Sequence, residues 1–117
     1  MGIYNVHAGH NPANMVGCGA VGLINESTEN RNVCAEVIKQ LRALGHTVYD
    51  CTVNDGTSSS NVLTKIVNKC NAHTVDYDIS IHFNAGANNK GGNGVTTGTE
   101  VLIYNLNDTK TKAVAQS

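Results

Sequence analysis

The sequence predicts an α/β fold, with a mainly parallel sheet and helices on both of its faces. Short runs rich in β-branched residues alternate along the chain with longer segments whose apolar residues recur at helical spacing. Each helical segment is long enough to connect one parallel strand to the next on the same sheet. The predicted element order is βαβαββ, within one domain over residues 1–117.

The first three elements follow from local patterns near the N-terminus. Residues 2–7 form the first predicted strand, and a glycine-rich loop with no clear period follows it. Apolar residues then recur at helical spacing from about Thr28 to Leu44, and Gly45 marks the end of this helix. The segment "HTVYDCTV" has the composition of a second strand.

The second half of the chain repeats this alternation and then departs from it. The turn-forming stretch "NDGTSSS" precedes a second helix that carries Val62 and Cys70, and "DYDISIHFNA" gives a third strand. A fourth strand is predicted at "TEVLIY", and a last helix near Asp108. The loop "GANNKGGNGVTTG" before the fourth strand is rich in glycine, which predicts that it is mobile. We interpret it as a flap on the substrate side of a binding site, with a surface loop that has no function as the alternative.

Composition excludes several classes of protein. A formal net charge of −1 gives no electrostatic reason to expect nucleic acid or an anionic membrane as a partner. The four cysteines form no C-x-x-C pair, so we interpret them as buried reduced thiols rather than zinc-ribbon or redox residues. The N-terminus lacks the pattern of a signal peptide, which predicts synthesis in the cytoplasm.

Three residues of metal-ligand type lie at predicted element ends. His10 follows the first strand, Glu26 precedes the first helix and His82 ends the third strand. The carboxyl ends of parallel strands share one edge, where two imidazoles and a carboxylate suit a catalytic zinc ion. The spacing matches no compact metal motif. It therefore leaves open that the histidines are hydrogen-bonded strand-end residues and that Glu26 only stabilises a helix N-terminus.

A family resemblance favours the metal interpretation. The segments "AGH", "GLINEST", "SIHFNA" and "GTEVLIY" together resemble the zinc-dependent N-acetylmuramoyl-L-alanine amidases of the amidase 3 family. The resemblance covers essentially the whole chain. It implies that His10, Glu26 and His82 bind zinc, with Glu29 as a competing carboxylate, and that Asn84 contributes to substrate binding.

The same resemblance implies an activity and a setting. Family members hydrolyse the amide bond between N-acetylmuramic acid and L-alanine in peptidoglycan. Phage and prophage endolysins of this family are made without signal peptides, so we expect a protein that acts on the bacterial cell wall after release. No separate wall-binding domain is recognisable in this chain.

Two departures from the family pattern qualify this expectation. His7 and Ala8 stand where the family commonly has Asp and Pro, so the role of His7 is unassigned. The family's general-base Glu would lie beyond Ser117 together with the last strand and helix, and Glu100 aligns with a non-catalytic position. The catalytic residue is therefore unknown. Without the family's last strand one edge of the sheet would be unpaired, and such an edge can pair with a second copy of the chain to form a homo-oligomer.

Two other functions remain as alternatives. A zinc- and peptidoglycan-binding module without catalysis fits the missing general base. A nucleotide- or flavin-binding domain fits only the α/β order, because the first strand is not followed by G-x-G-x-x-G.

Overall fold

Three parallel strands form the sheet, in the spatial order β2-β1-β3. The computed structural model describes residues 1–85, 94–95 and 98–117. Strand β1 spans Ile3–Ala8, β2 spans Thr47–Asp50 and β3 spans Tyr77–Ile81. The last residue of β1, Ala8, is level with Ile81 at the end of β3. The two strands therefore deliver their following residues to the same edge of the sheet.

Helices connect these strands and follow the last one. Helix α1 spans Glu26–Ala43, α2 spans Ser59–Asn71 and α3 spans Thr109–Gln116. The Ser58 side chain caps α2 by accepting a hydrogen bond from Asn61 N–H, at 3.0 Å. Helix α1 ends just before Gly45, as predicted, and begins two residues before the predicted start.

The sheet is covered on both faces, which confirms the predicted fold class. Val6 and Ala8 are fully buried on one face and pack with Cys34 and Ile38 of α1. On the other face Asn5 Nδ2 donates to the Cys70 carbonyl of α2, at 2.9 Å. A second apolar cluster lies beneath α2 and is formed by Val53, Val62 and Ile66.

The predicted fourth strand is wrong. Residues 99–104 are described and form no strand, so the observed order is βαβαβα. Val101, Leu102 and Tyr104 are exposed, with Tyr104 fully so. A β-rich composition specifies a strand only when a neighbouring strand and a buried face are present, and neither forms here among the described residues. The helix predicted near Asp108 is confirmed, with Asp108 as its N-cap.

Three further predictions have different outcomes. All four cysteines are free, but only Cys34 and Cys51 are buried, while Cys18 and Cys70 are partly exposed. The predicted flap falls mostly on residues 86–93 and 96–97, outside the described part of the chain. None of the helices in the described ranges is long and apolar enough to cross a membrane.

Candidate metal centre

The two strand-end histidines meet at the carboxyl edge of the sheet. Residues 9 and 10 continue from β1, and His82 directly follows β3. A hydrogen bond from Gly9 N–H to the Ile81 carbonyl, at 3.0 Å, extends the pairing of these strands beyond Ala8. The imidazole rings of His10 and His82 lie 4.9 Å apart, centre to centre, and are nearly perpendicular.

Glu26, the first residue of α1, completes the group. Its Oε1 lies 3.3 Å from His10 Nε2 and 3.1 Å from His82 Nδ1. The carboxylate is almost fully buried, with 7% of the side chain exposed, whereas His10 and His82 expose 35% and 44% of theirs. The three ligand-type atoms lie within 4.8 Å of one another. The group is therefore closed on the protein side and open to solvent on the histidine side.

Backbone amides hold the buried carboxylate in place. Ala20 N–H donates to Glu26 Oε2 at 2.8 Å, and Phe83 N–H donates to Oε1 at 3.2 Å. Burial raises the pKa of Glu26, but these two hydrogen bonds, with His10 and His82, outweigh it and lower the pKa below the ordinary value. Glu26 is thus ionised at neutral pH.

Two glycines make room for these side chains. A Cβ on Gly9 would overlap the imidazole ring of His82. A Cβ on Gly19 would lie 2.5 Å from Glu26 Oε2 and 2.7 Å from His10 Cδ2, and Gly19 also has a φ of +78°. The close approach of the three ligand-type side chains therefore depends on the absence of side chains at both positions.

The loop that carries His10 is fixed by polar contacts. His10 has a φ of +66°, a conformation that residues with a Cβ adopt at a cost. Asn30 Nδ2 donates to the Gly9 carbonyl at 2.9 Å, and Arg31 Nη2 donates to the His10 carbonyl at 2.8 Å. The fully buried Asn11 bonds both the N–H and the carbonyl of Gly56.

The geometry suits one metal ion. Ligands placed about 2.0–2.2 Å from zinc in a tetrahedral arrangement lie roughly 3.4 Å from one another. Two of the three distances, from Glu26 Oε1 to His10 Nε2 and to His82 Nδ1, are close to that value. Two imidazoles and one carboxylate in this arrangement could therefore hold a metal ion, with the histidine side of the group open to solvent.

Comparison with known proteins identifies the family of the chain. The family model described as N-acetylmuramoyl-L-alanine amidase matches residues 4–117. The chain belongs to this amidase family. A protein of Clostridium perfringens (strain 13 / Type A), described as uncharacterised, is 33% identical over 99 residues. Those residues are 85% of this chain and 27% of that protein, so the chain spans about a quarter of this relative's length.

The other candidate residues of this amidase-family chain are Glu29, Asn84 and His7, and their surroundings differ. Glu29 is outside the ligand-type group, which among the described residues contains Glu26 as its carboxylate. Asn84 is exposed two residues after His82, and its Nδ2 donates to Glu100 Oε1. His7 Nδ1 lies 4.0 Å from Cys70 Sγ on the α2 side of the sheet. Burial, then the neighbouring His82, lowers the pKa of His7.

Sequence reasoning missed the residues that support the centre. Asn30 and Arg31 donate hydrogen bonds to backbone carbonyls of the His10 loop. Every residue has a backbone carbonyl, so the residue types do not reveal which carbonyl a side chain will bond. The sequence gives a positional signal for two glycines, since Gly9 directly precedes His10 and Gly19 lies in the glycine-rich loop between His10 and Glu26. Which side chain each glycine faces depends on the fold.

Proposed function

We propose that this chain is a zinc-dependent amidase domain that hydrolyses the bond between N-acetylmuramic acid and L-alanine in peptidoglycan. The observation that carries the proposal is the convergence of His10, Glu26 and His82 at one sheet edge, in a chain of the amidase family. Membership of this family supports hydrolysis of a peptidoglycan amide in general. The zinc dependence and the bond cleaved are the proposal.

The chain's own residues perform three tasks in this reaction. His10 Nε2, His82 Nδ1 and a Glu26 carboxylate oxygen hold the metal, and the amides of Ala20 and Phe83 keep the carboxylate oriented. A zinc ion held by these residues would act as a Lewis acid towards the amide carbonyl and would lower the pKa of water to about 7. The exposed sides of the histidines leave the centre accessible to a polymeric substrate.

The lowered pKa of Glu26 suits a ligand rather than a proton acceptor. Both of its oxygens already accept backbone hydrogen bonds, and it lies between two imidazoles. General-base assistance is typically worth about 10²–10⁴-fold in rate, and it needs a group with free hydrogen-bonding capacity. We propose that the general base is a carboxylate other than Glu26. We also propose that the domain acts on the cell wall in the manner of an endolysin.

A second candidate function follows from the same observation. The ligand-type group contains one carboxylate among the described residues, and that carboxylate is occupied. A module that binds zinc and peptidoglycan without hydrolysing it is therefore the alternative.

One experiment separates the two. Purified peptidoglycan is incubated with the zinc-loaded chain, and the released material is analysed by mass spectrometry for peptides with a free N-terminal L-alanine. His82→Ala is the test variant, and His73→Ala, which changes a histidine stacked on Tyr49 away from the centre, is its matched control.

The two functions give different products. Release by the wild type and by His73→Ala but not by His82→Ala supports the amidase proposal. Zinc binding with co-sedimentation on peptidoglycan and no release supports the binding module. Release that persists after zinc removal and in His82→Ala contradicts the metal-dependent mechanism.

A further inference from the structure

Arg31 joins three separate parts of the chain through its guanidinium. Its Nη2 donates to the carbonyls of His10 and Val53, both at 2.8 Å, and its Nε donates to Asn54 Oδ1 at 3.0 Å. Its Nη1 lies 3.4 Å from the Gly9 carbonyl. One side chain of α1 therefore ties the loop after β1 to the loop after β2.

The contact with His10 falls on a strained residue. His10 has a φ of +66°, a left-handed conformation that is strained for a residue with a Cβ and persists only when neighbouring groups hold it. On the N-terminal side, Gly9 N–H bonds the Ile81 carbonyl, and on the C-terminal side Asn11 N–H bonds the Gly17 carbonyl. The carbonyl of His10 itself is held by Arg31.

This backbone conformation sets the direction of the His10 side chain. With its carbonyl directed to Arg31, the imidazole of His10 points to Glu26, and Nε2 lies 3.3 Å from Oε1. Release of the carbonyl would let the residue relax to a negative φ. The imidazole would then leave the position at which it faces Glu26.

We propose that Arg31 is a positioning residue for the metal centre. It holds His10 in its left-handed conformation and so places the His10 imidazole for metal binding. The inference rests on the proposed metal centre. Arg31 reaches His10 through the His10 carbonyl, and within the described ranges none of its hydrogen bonds goes to the side chain of His10, Glu26 or His82. A planar guanidinium can donate to several carbonyls at fixed angles, which a lysine ammonium on a flexible stem cannot reproduce.

A purely structural role is the competing explanation, and the chain contains a control for it. Arg42, on the same helix, donates from Nη2 to the Val48 carbonyl of β2 at 2.8 Å. It ties α1 to the sheet as Arg31 ties it to the loops, but it touches no residue of the metal centre. Replacement of Arg42 therefore measures the effect of losing a hydrogen bond between an α1 guanidinium and a backbone carbonyl, without a change at the metal centre.

The test compares zinc dissociation constants of the wild type, Arg31→Met, Arg31→Lys and Arg42→Met, measured by competition with a chromophoric chelator. The visible absorption of the cobalt-substituted proteins is recorded beside them as a readout of ligand geometry. Circular dichroism melts show which variants are folded. Arg31→Lys keeps the charge and decides the question if Arg31→Met does not fold.

We expect both Arg31 variants to bind zinc about 10- to 100-fold more weakly than the wild type, with an altered cobalt spectrum. Arg42→Met is expected to stay within about threefold of the wild type, with an unchanged spectrum. Folded Arg31 variants that match Arg42→Met in both readouts would overturn the positioning role while leaving the metal centre intact. A wild type that binds no zinc would instead overturn the proposed metal centre, and the inference with it.

Discussion

Gly9→Ala separates metal binding from folding. Gly9 does not have a positive φ, so alanine can adopt its backbone conformation. The hydrogen bonds at this position are made by the backbone N–H and carbonyl of Gly9, and alanine retains both groups. The added methyl group would overlap the His82 ring. Because 44% of the His82 side chain is exposed, the ring can rotate into solvent rather than disrupt the core.

The expected magnitudes differ sharply between the two properties. Without metal, the variant loses the His82–Glu26 contact, which at a half-exposed site is worth about 1 kcal/mol. Replacement of glycine by alanine returns about 0.4–1 kcal/mol through the unfolded state. The melting temperature should therefore change by no more than about 5 °C. Zinc affinity should fall at least about 100-fold, or about 2.7 kcal/mol, because one of three ligands is displaced.

The assay is a zinc titration beside a thermal melt, with Gly22→Ala as the matched control. Gly22 lies in the loop before α1, and a Cβ added there meets no atom within 4 Å. The control should keep wild-type affinity and stability. Zinc binding by Gly9→Ala within about threefold of the wild type would refute the close-approach argument. A loss of more than about 3 kcal/mol in stability would instead refute the argument that the His82 ring can rotate into solvent without disrupting the fold.

Three other changes have expected outcomes. Gly19→Ala combines a positive φ with overlap on Glu26, so it should lower both metal-free stability, by about 1–2 kcal/mol, and zinc affinity; wild-type values in a melt and a titration would contradict this. Asn11→Ala leaves the buried amide and carbonyl of Gly56 unpaired and should cost about 2–4 kcal/mol in urea unfolding, and a cost below about 0.5 kcal/mol would show that these bonds are dispensable. Burial raises the pKa of Cys70 to about 12, so its thiolate fraction at pH 8 is about 10⁻⁴ in the folded protein, against roughly 0.2 in the unfolded chain. Alkylation of Cys70, followed by mass spectrometry, should therefore be at least 100-fold slower in the folded protein than in urea. Equal rates would contradict the raised pKa.

The regular elements were predictable because their patterns are local. Apolar spacing located α1 and α2, and β-branched runs located the three strands, each within a few residues of the observed bounds. The fourth strand was wrong for the same reason. The β-rich run at residues 99–104 meets the local criterion, but strand pairing depends on a partner that local composition does not reveal.

Topology predicted which candidate residues lie close together, whereas the choice of the metal interpretation came from the family resemblance. Parallel strands placed His10 and His82 at one edge, and the entrance to α1 placed Glu26 beside them. The support of the site was not predictable. The contacts of Arg31 and Asn30 are with backbone carbonyls, and they depend on the path of two loops that no periodicity describes.

The central claim is that His10, Glu26 and His82 together bind one metal ion. A crystal of the zinc-loaded protein, measured above and below the zinc absorption edge, tests it most directly. We predict a single anomalous peak within about 2.0–2.2 Å of His10 Nε2, His82 Nδ1 and a Glu26 carboxylate oxygen. A peak bound by other residues, or a zinc-loaded crystal with no peak between these three, would contradict the account.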